Sequence, residues 1–275
     1  MTLQDALNTG IKAIGRRDAG LLLAHITKQS LSNIIINNNE PLCESDAGAF
    51  FAAIDRRKAT EPLQYILGTW EFMGLDIITD PRALIPRPET ELLVEEALTH
   101  IRQLDCPARV LDVCTGSGCI ALAIAKLSSA NVTAVDISCD ALALAAENAA
   151  LHQVSDKINF IQCDLFGGLS GQTFDVIISN PPYIPTAELN HLQAEIQNHE
   201  PVLALDGGTD GLDIYRRLVP GSLDYLAPGG ALFLEIGPPS VEAIMLSAGY
   251  DIVRLVNDYA GLDRILIGGK KCLTV

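Results

Sequence analysis

Between Thr2 and about Leu67 the apolar positions recur at helical spacing. Leu3, Ala6, Leu7, Ile11 and Ile14 make one stripe, Leu21, Leu22, Ala24, His25 and Ile26 a second, and Phe50, Phe51 and Ile54 a third. A small helical bundle over residues 1–69 follows, with Asn37-Asn38-Asn39 and Pro41 as the loop between its second and third helices. After Trp70 the period changes. Glu71-Phe72-Met73-Gly74-Leu75-Asp76-Ile77-Ile78 reads as strand material around a glycine, and Asp80-Pro81 breaks it, so residues 70–88 form a β-hairpin and proline-rich linker. Glu89-Thr90-Glu91, directly after the stiff Pro86-Arg87-Pro88, opens a helix whose Leu92, Leu93, Ala97, Leu98 and Ile101 share one face.

From Arg109 onward strands and helices alternate. Val110–Val113, Val132–Val135, Ile158–Ile161, Phe174–Ile178 and Ala231–Glu235 read as strands, separated by helices near 118–128, 140–152 and 211–226. Such alternation predicts an α/β domain over 89–275 with a parallel, doubly wound sheet. Two further strand-like runs, Ile252–Leu255 and Arg264–Ile267, are joined by a link too short for a crossover helix, which makes them an antiparallel pair at the sheet edge.

Composition adds limits. The 275 residues are 48% hydrophobic and 19% charged, which is a core-forming chain, with a formal charge of −15. That charge is uneven, at −1 over residues 1–88 and −14 over 89–275. A repulsive average field over the larger region argues against sequence-specific contact with nucleic acid, which draws on clustered Lys and Arg. Neither a basic, apolar leader at Met1 nor an apolar run near the roughly 20 residues of a membrane span is visible, so a cytoplasmic protein with no membrane contact is expected. Seven cysteines without a C-x-x-C pair (Cys43, Cys106, Cys114, Cys119, Cys139, Cys163, Cys272) read as reduced, mostly buried thiols, with no metal site. Arg56-Arg57-Lys58 is the basic run of the helical region, either a solvated face or a contact for an acidic or RNA-associated partner surface.

The chemistry concentrates at strand ends. After the first strand, Cys114-Thr115-Gly116-Ser117-Gly118 is a small-residue turn into a helix, where a backbone can approach a ligand and free N–H groups await an anion. Asp136 ends the second strand, twenty-four residues after Asp112, and can accept both hydroxyls of a ribose. Asp164 and Leu165 follow the third strand and can flank a base. Ser179-Asn180-Pro181-Pro182-Tyr183 follows the fourth. Its prolines fix φ and leave the Asn180 and Pro181 carbonyls free. The Asn180 carboxamide oxygen beside such a carbonyl offers two acceptors to one planar –NH₂ group, on which Tyr183 can stack. Accepting both hydrogens stabilises the positive charge that grows on nitrogen as it attacks a methyl group.

These stretches resemble the PrmC/HemK family, S-adenosylmethionine-dependent methyltransferases that modify a glutamine in peptide chain release factors. Asn-Pro-Pro-Tyr is shared with amino-methylating nucleic-acid enzymes, whereas Pro86-Arg87-Pro88-Glu89-Thr90-Glu91 points to this family. Pro62–Gly68, Glu200-Pro201, Gly207-Gly208, Asp210-Gly211-Leu212 and Glu235-Ile236-Gly237 extend the likeness over nearly the whole chain. The resemblance implies a class I, Rossmann-like fold with a seven-stranded, mostly parallel sheet and an N-terminal substrate-recognition domain. It implies that Cys114 to Gly118 take the methionine part of the cofactor, Asp136 its ribose, and Asp164 and Leu165 its adenine. Asn180 also borders the cofactor, and Asn180, Pro181, Pro182 and Tyr183 hold the glutamine amide, with Asn180, Pro181 and Tyr183 catalytic. Pro88-Glu89-Thr90 lies over the reacting end. Cys114 stands where the family pattern has its first glycine, and Leu165 where an aromatic residue is common.

The expected function is methyl transfer from S-adenosylmethionine to the side-chain amide of the glutamine in the Gly-Gly-Gln loop of release factors, releasing S-adenosylhomocysteine, by a monomer without a metal. The alternative is methylation of an exocyclic amine of adenine or cytosine in DNA or RNA. A nicotinamide-dependent oxidoreductase of the same fold leaves Asn180 to Tyr183 without a role.

Overall fold

The computed structural model describes residues 1–237 and 240–270. The chain divides into a helical unit, Met1–Thr69 with Gln193–His199, and an α/β unit, Trp70–Leu192 with Glu200–Val275.

In the helical unit, α1 (Leu3–Ile14) starts at a reciprocal cap: Thr2 Oγ1 accepts from the Asp5 N–H at 3.1 Å, and Asp5 Oδ2 accepts from the Thr2 N–H at 3.0 Å. α2 (Arg16–Thr27), α3 (Leu31–Ile36), α4 (Glu44–Lys58) and α5 (Leu63–Leu67) follow. Leu3, Leu22, Leu23, Ile34, Phe50 and Ile54 form the core. Five helices stand here where the stripes predicted three, because α3 and α5 are too short to show a period. The second stripe is also shifted: Leu22 is buried as expected, but His25 is exposed, and Ala19 and Leu23 are buried beside Leu22.

A sixth helix of this unit, α9 (Ala194–His199), comes from the distant segment 193–199. Arg57 joins it, with its guanidinium 2.7 Å from Asp18 and 2.6 Å from Glu195. Arg56 pairs with Glu61 and Lys58 with Asp55, so each charge of the basic run has an acidic partner within the unit, while Arg56 and Lys58 both stay exposed.

The α/β unit opens with a hairpin of β1 (Thr69–Phe72) and β2 (Leu75–Ile78). Met73 and Gly74 both have left-handed φ (52° and 73°), the two-residue turn whose twist matches the strands. Pro88 is the first residue of α6 (Pro88–Ile101), where its missing N–H costs nothing. The sheet comprises β3 (Arg109–Val113), β4 (Asn131–Asp136), β5 (Ile158–Gln162), β6 (Phe174–Ser179), β7 (Leu226–Glu235), β8 (Ile252–Asn257) and β9 (Asp263–Gly269), in the order β5-β4-β3-β6-β7-β9-β8. The first five are parallel, and β9 runs antiparallel to both β7 and β8. Along the central strands, side chains alternate between two cores. Val110, Val176, Ile178 and Phe233 pack with α6 and α7 (Cys119–Leu127), while Leu111, Val113, Ile177 and Leu234 pack with α10 (Asp213–Tyr225) and α11 (Val241–Ala248). Burial on both faces is why these strands read as continuous apolar runs.

The expectation of mostly buried thiols fails. Of the six cysteines described, all free, only Cys119 is buried; Cys43, Cys106 and Cys139 are exposed, and Cys272 lies outside the described residues. Cys43 serves instead as the N-cap of α4, its Sγ 3.4 Å from the Asp46 N–H, which keeps it at the surface. Among the described residues no helix is long and apolar enough to cross a membrane.

One fully buried side chain ties the hairpin to the sheet. Asn148 of α8 (Cys139–Leu151) accepts from the Ile78 N–H at 2.7 Å and donates to the carbonyls of Ile78 (3.2 Å) and Ser117 (3.0 Å). Asn148→Ala is expected to cost about 2–3 kcal/mol in urea denaturation, because it strands those backbone groups out of water.

Candidate active site

Strand order reverses at β3, which has β4 on one side and β6 on the other. In an open parallel sheet the crevice beside such a reversal, at the carboxyl ends, is where ligands bind. Three hydrogen bonds draw the three strand ends together there. Ser179 Oγ donates to the Val113 carbonyl at 2.6 Å, the Thr115 N–H to the Val135 carbonyl at 3.0 Å, and the Gly116 N–H to Asp136 Oδ2 at 2.9 Å.

The result is one cleft. Cys114, Thr115, Gly116, Ser117, Asp136, Asp164, Leu165, Asn180 and Pro182 all line it, with Arg82–Arg87 and Pro201, Leu203 and Ala204 on its other walls. Gly118, Pro181 and Tyr183 sit outside the wall. A Cβ at Gly118 would meet Ala145 Cβ at 2.8 Å and Leu122 Cδ1 at 2.9 Å, so this glycine makes room for α8. A Cβ at Gly116 would instead project into the open cleft, its nearest neighbour Ala83 Cβ at 3.9 Å.

Asp112 shapes the β3–α7 turn. It is fully buried; Oδ2 accepts from the Thr115 hydroxyl at 2.5 Å and the Ala121 N–H at 3.1 Å, while Oδ1 has no partner among the described residues. To bring those donors back over the carboxylate, the chain passes through left-handed backbone at Cys114 (φ 60°), Gly116 (φ 55°) and Gly118 (φ 79°). A Cβ in that region costs about 1–2 kcal/mol, so Cys114 holds a strained glycine position.

Burial pushes the Asp112 carboxyl up to about 7, against the pull of its two donors, and raises Asp136 as well. The Cys114 thiol is raised by burial first and then by the negative charges of Asp136, Asp112 and Asp164. This end of the cleft therefore favours a cation. Asp136 accepts one backbone N–H on each oxygen, from Gly116 and Ser138, both at 2.9 Å, which leaves each a further lone pair for a hydroxyl. Asp164 lies at the mouth, half-exposed, with Oδ2 paired to Arg217 at 2.6 Å. Among the described residues no group of three His, Cys, Asp or Glu is placed to hold a metal ion.

At the other end, Asn180 Nδ2 donates to Thr90 Oγ1 at 3.1 Å, and the Thr90 hydroxyl donates to Glu235 Oε2 at 2.7 Å. The Tyr183 ring rests on Gly237, where a Cβ would stand 2.4 Å from Tyr183 Cδ2. Gly207 and Gly211 admit the Tyr183 backbone just as closely. Burial pushes the Tyr183 hydroxyl up to about 12, so it is a neutral phenol at neutral pH. Arg87 pairs with the buried Glu200, whose Oε2 also accepts from the Ile85 N–H at 3.2 Å, and this fixes the linker along the cleft. Thr90, Glu200 and Glu235 lay in the motifs quoted above, but spacing gives no sign of the bonds they make. The one available clue was an acid, Glu235, closing an apolar strand.

Fold and cleft together define a class I, Rossmann-like methyltransferase. A solved methyltransferase from Pyrococcus furiosus shares the fold at a TM-score of 0.55 and 23% identity, over 72% of this chain and 90% of that one. The methyltransferase small domain family matches residues 88–209 and the PrmC N-terminal domain family residues 7–68. A release factor glutamine methyltransferase of Geobacter sulfurreducens is 45% identical over 86% of this chain and 83% of its own length. One from Moorella thermoacetica is 40% identical over 98% and 99%. The chain belongs to the release factor glutamine methyltransferase family.

The raised Asp112 pKa has a sign. Ionising this carboxyl costs the folded state more than the unfolded one, so its contribution to stability falls from about pH 4 to about pH 7 and is level above. Asp112→Asn removes that slope. The stability of the variant relative to the parent is expected to rise over this range in urea denaturation at a series of pH values; parallel curves would show that Asp112 titrates normally.

Proposed function

We propose that the protein transfers the methyl group of S-adenosylmethionine to the side-chain amide nitrogen of the glutamine in the Gly-Gly-Gln loop of peptide chain release factors. The observation that carries this is one cleft lined by both the glycine turn with Asp136 and the carboxamide of Asn180; family membership supports the substrate.

The donor set fits the cofactor. The open space over Gly116, the lone pairs left on Asp136 and the negative field at Cys114 suit a molecule with a vicinal diol and a net positive sulfonium end. When bound, S-adenosylmethionine supplies an electrophilic methyl group. Cys114, Thr115, Gly116 and Ser117 hold its methionine part in this reading, Gly118 serving the turn from behind, Asp136 accepts from the ribose, and Asp164 and Leu165 border the adenine. Asn180 Oδ1 and the Pro181 carbonyl take the two hydrogens of the glutamine amide, keep its nitrogen in line and stabilise the charge that develops there. Pro182 stiffens the loop, and Tyr183, anchored on Gly237, backs it. The new carbon–nitrogen bond forms as the methyl carbon parts from sulfur, and the cationic amide then gives up one of its two held hydrogens to water, so no basic side chain is needed before the methyl moves. The helical unit recognises the release factor, and the enzyme works as a cytoplasmic monomer.

With labelled cofactor and a release factor, label is expected on the glutamine of Gly-Gly-Gln by peptide mass spectrometry; label in nucleic acid and none in protein would overturn the substrate. Asn180→Ala is expected to lower kcat about 10²–10³-fold, with cofactor affinity by calorimetry nearly unchanged.

A further inference from the structure

Thr90 joins the Asn180 loop to a buried carboxylate on the neighbouring strand. Thr90 is 2% exposed and Glu235 1%, and the single hydroxyl stands 3.1 Å from Asn180 Nδ2 and 2.7 Å from Glu235 Oε2. A hydroxyl has one proton to give and two lone pairs, whereas a carboxylate only accepts. The Thr90 proton is therefore committed to Glu235, and its oxygen can only accept from Asn180. The two branches of a carboxamide are nearly identical in shape, so packing alone does not choose between them. Here the choice is forced. Asn180 shows –NH₂ to Thr90 and so turns Oδ1 the other way.

We propose that Glu235 and Thr90 form a positioning pair that fixes which branch of the Asn180 carboxamide meets the substrate amide, a role that rests on the glutamine methylation proposed above. The reversed branch would set –NH₂ against –NH₂ and leave two donors facing each other without an acceptor. The pair works only while Glu235 is ionised. Burial, with Glu89 adding to it, pushes the Glu235 carboxyl up to about 7, against the Thr90 hydrogen bond and the charges of Arg264 on β9 and Arg87 at the start of α6. Tyr183 and Tyr215 also face it as neutral phenols, Tyr215 donating to the Glu235 backbone carbonyl at 2.8 Å. Once protonated, Glu235 can donate to Thr90, the Thr90 proton is released toward Asn180, and either branch is accommodated.

Two readouts test the pair. In the ligand-free protein, the side-chain amide resonances of Asn180 are expected to shift in Thr90→Val and Glu235→Gln and to stay at their parental positions in Thr90→Ser. In single-turnover methylation of a release factor, Thr90→Val and Glu235→Gln are expected to lose about tenfold to a hundredfold in rate, the scale of a hydrogen bond to a charged group. Cofactor affinity and release-factor KM should stay within about twofold of the parent, with Thr90→Ser restoring the rate. The parental rate is expected to fall as the pH drops through about 7, a limb that Glu235→Gln removes. Parental rate and resonances in Thr90→Val, or an acid limb that persists in Glu235→Gln, would overturn the proposal. A parent enzyme that fails to label glutamine would overturn the proposed function instead, while the ligand-free resonances still decide the pair.

Discussion

A carboxylate sealed from water has to be satisfied from within the chain, and the turn after β3 takes its shape from meeting that demand at Asp112. Both donors come from residues that follow it, Thr115 and Ala121, so the chain must double back within a few residues and start α7 over the carboxylate. Only left-handed backbone turns that tightly, which accounts for Gly116 and Gly118 and for the strain carried at Cys114. The positive end of α7 then faces the negative side chain. The second oxygen stays unpartnered, and together with Asp136 it gives this end of the cleft its preference for positive charge.

The opposite end is built by different means. Pro181 and Pro182 make the backbone after β6 stiff, but stiffness does not orient a side-chain amide. That falls to Thr90, the third residue of α6, and to Glu235 at the end of β7, with Ser179 fastening the loop to β3. Gly207, Gly211 and Gly237 serve the same loop from outside by admitting Tyr183 at distances no Cβ would allow. The motifs Gly207-Gly208, Asp210-Gly211-Leu212 and Glu235-Ile236-Gly237 thus share a physical task, the seating of one tyrosine and one asparagine.

Some of this was legible along the chain. The central strands are buried on both faces, so each is an apolar run, and the small residues and prolines that punctuate the runs mark their carboxyl ends. Loop positions such as Asn180 and Asp136 could therefore be placed at the same edge of the sheet before any coordinates. The helical unit was read less well. Its short helices α3 and α5 lack the length to show a period, and in α2 Leu23 rather than His25 faces the core. Arg57 looked like a surface charge because its partner Glu195 lies far away in sequence.

What the sequence determined alone was the set of local facts: strand, turn and helix in alternation, glycine where backbone must turn, and an Asn-Pro-Pro-Tyr loop whose acceptors are free. These depend on neighbours along the chain and on the period of apolar residues. Tertiary structure alone decided which polar groups meet: Thr90 with Asn180 and Glu235, Asn148 with Ile78 and Ser117, and Arg87 with Glu200. Hydrogen bonds and ion pairs form over about 3 Å in space without regard to separation in sequence, and only the packing of the sheet against its helices brings such partners within reach.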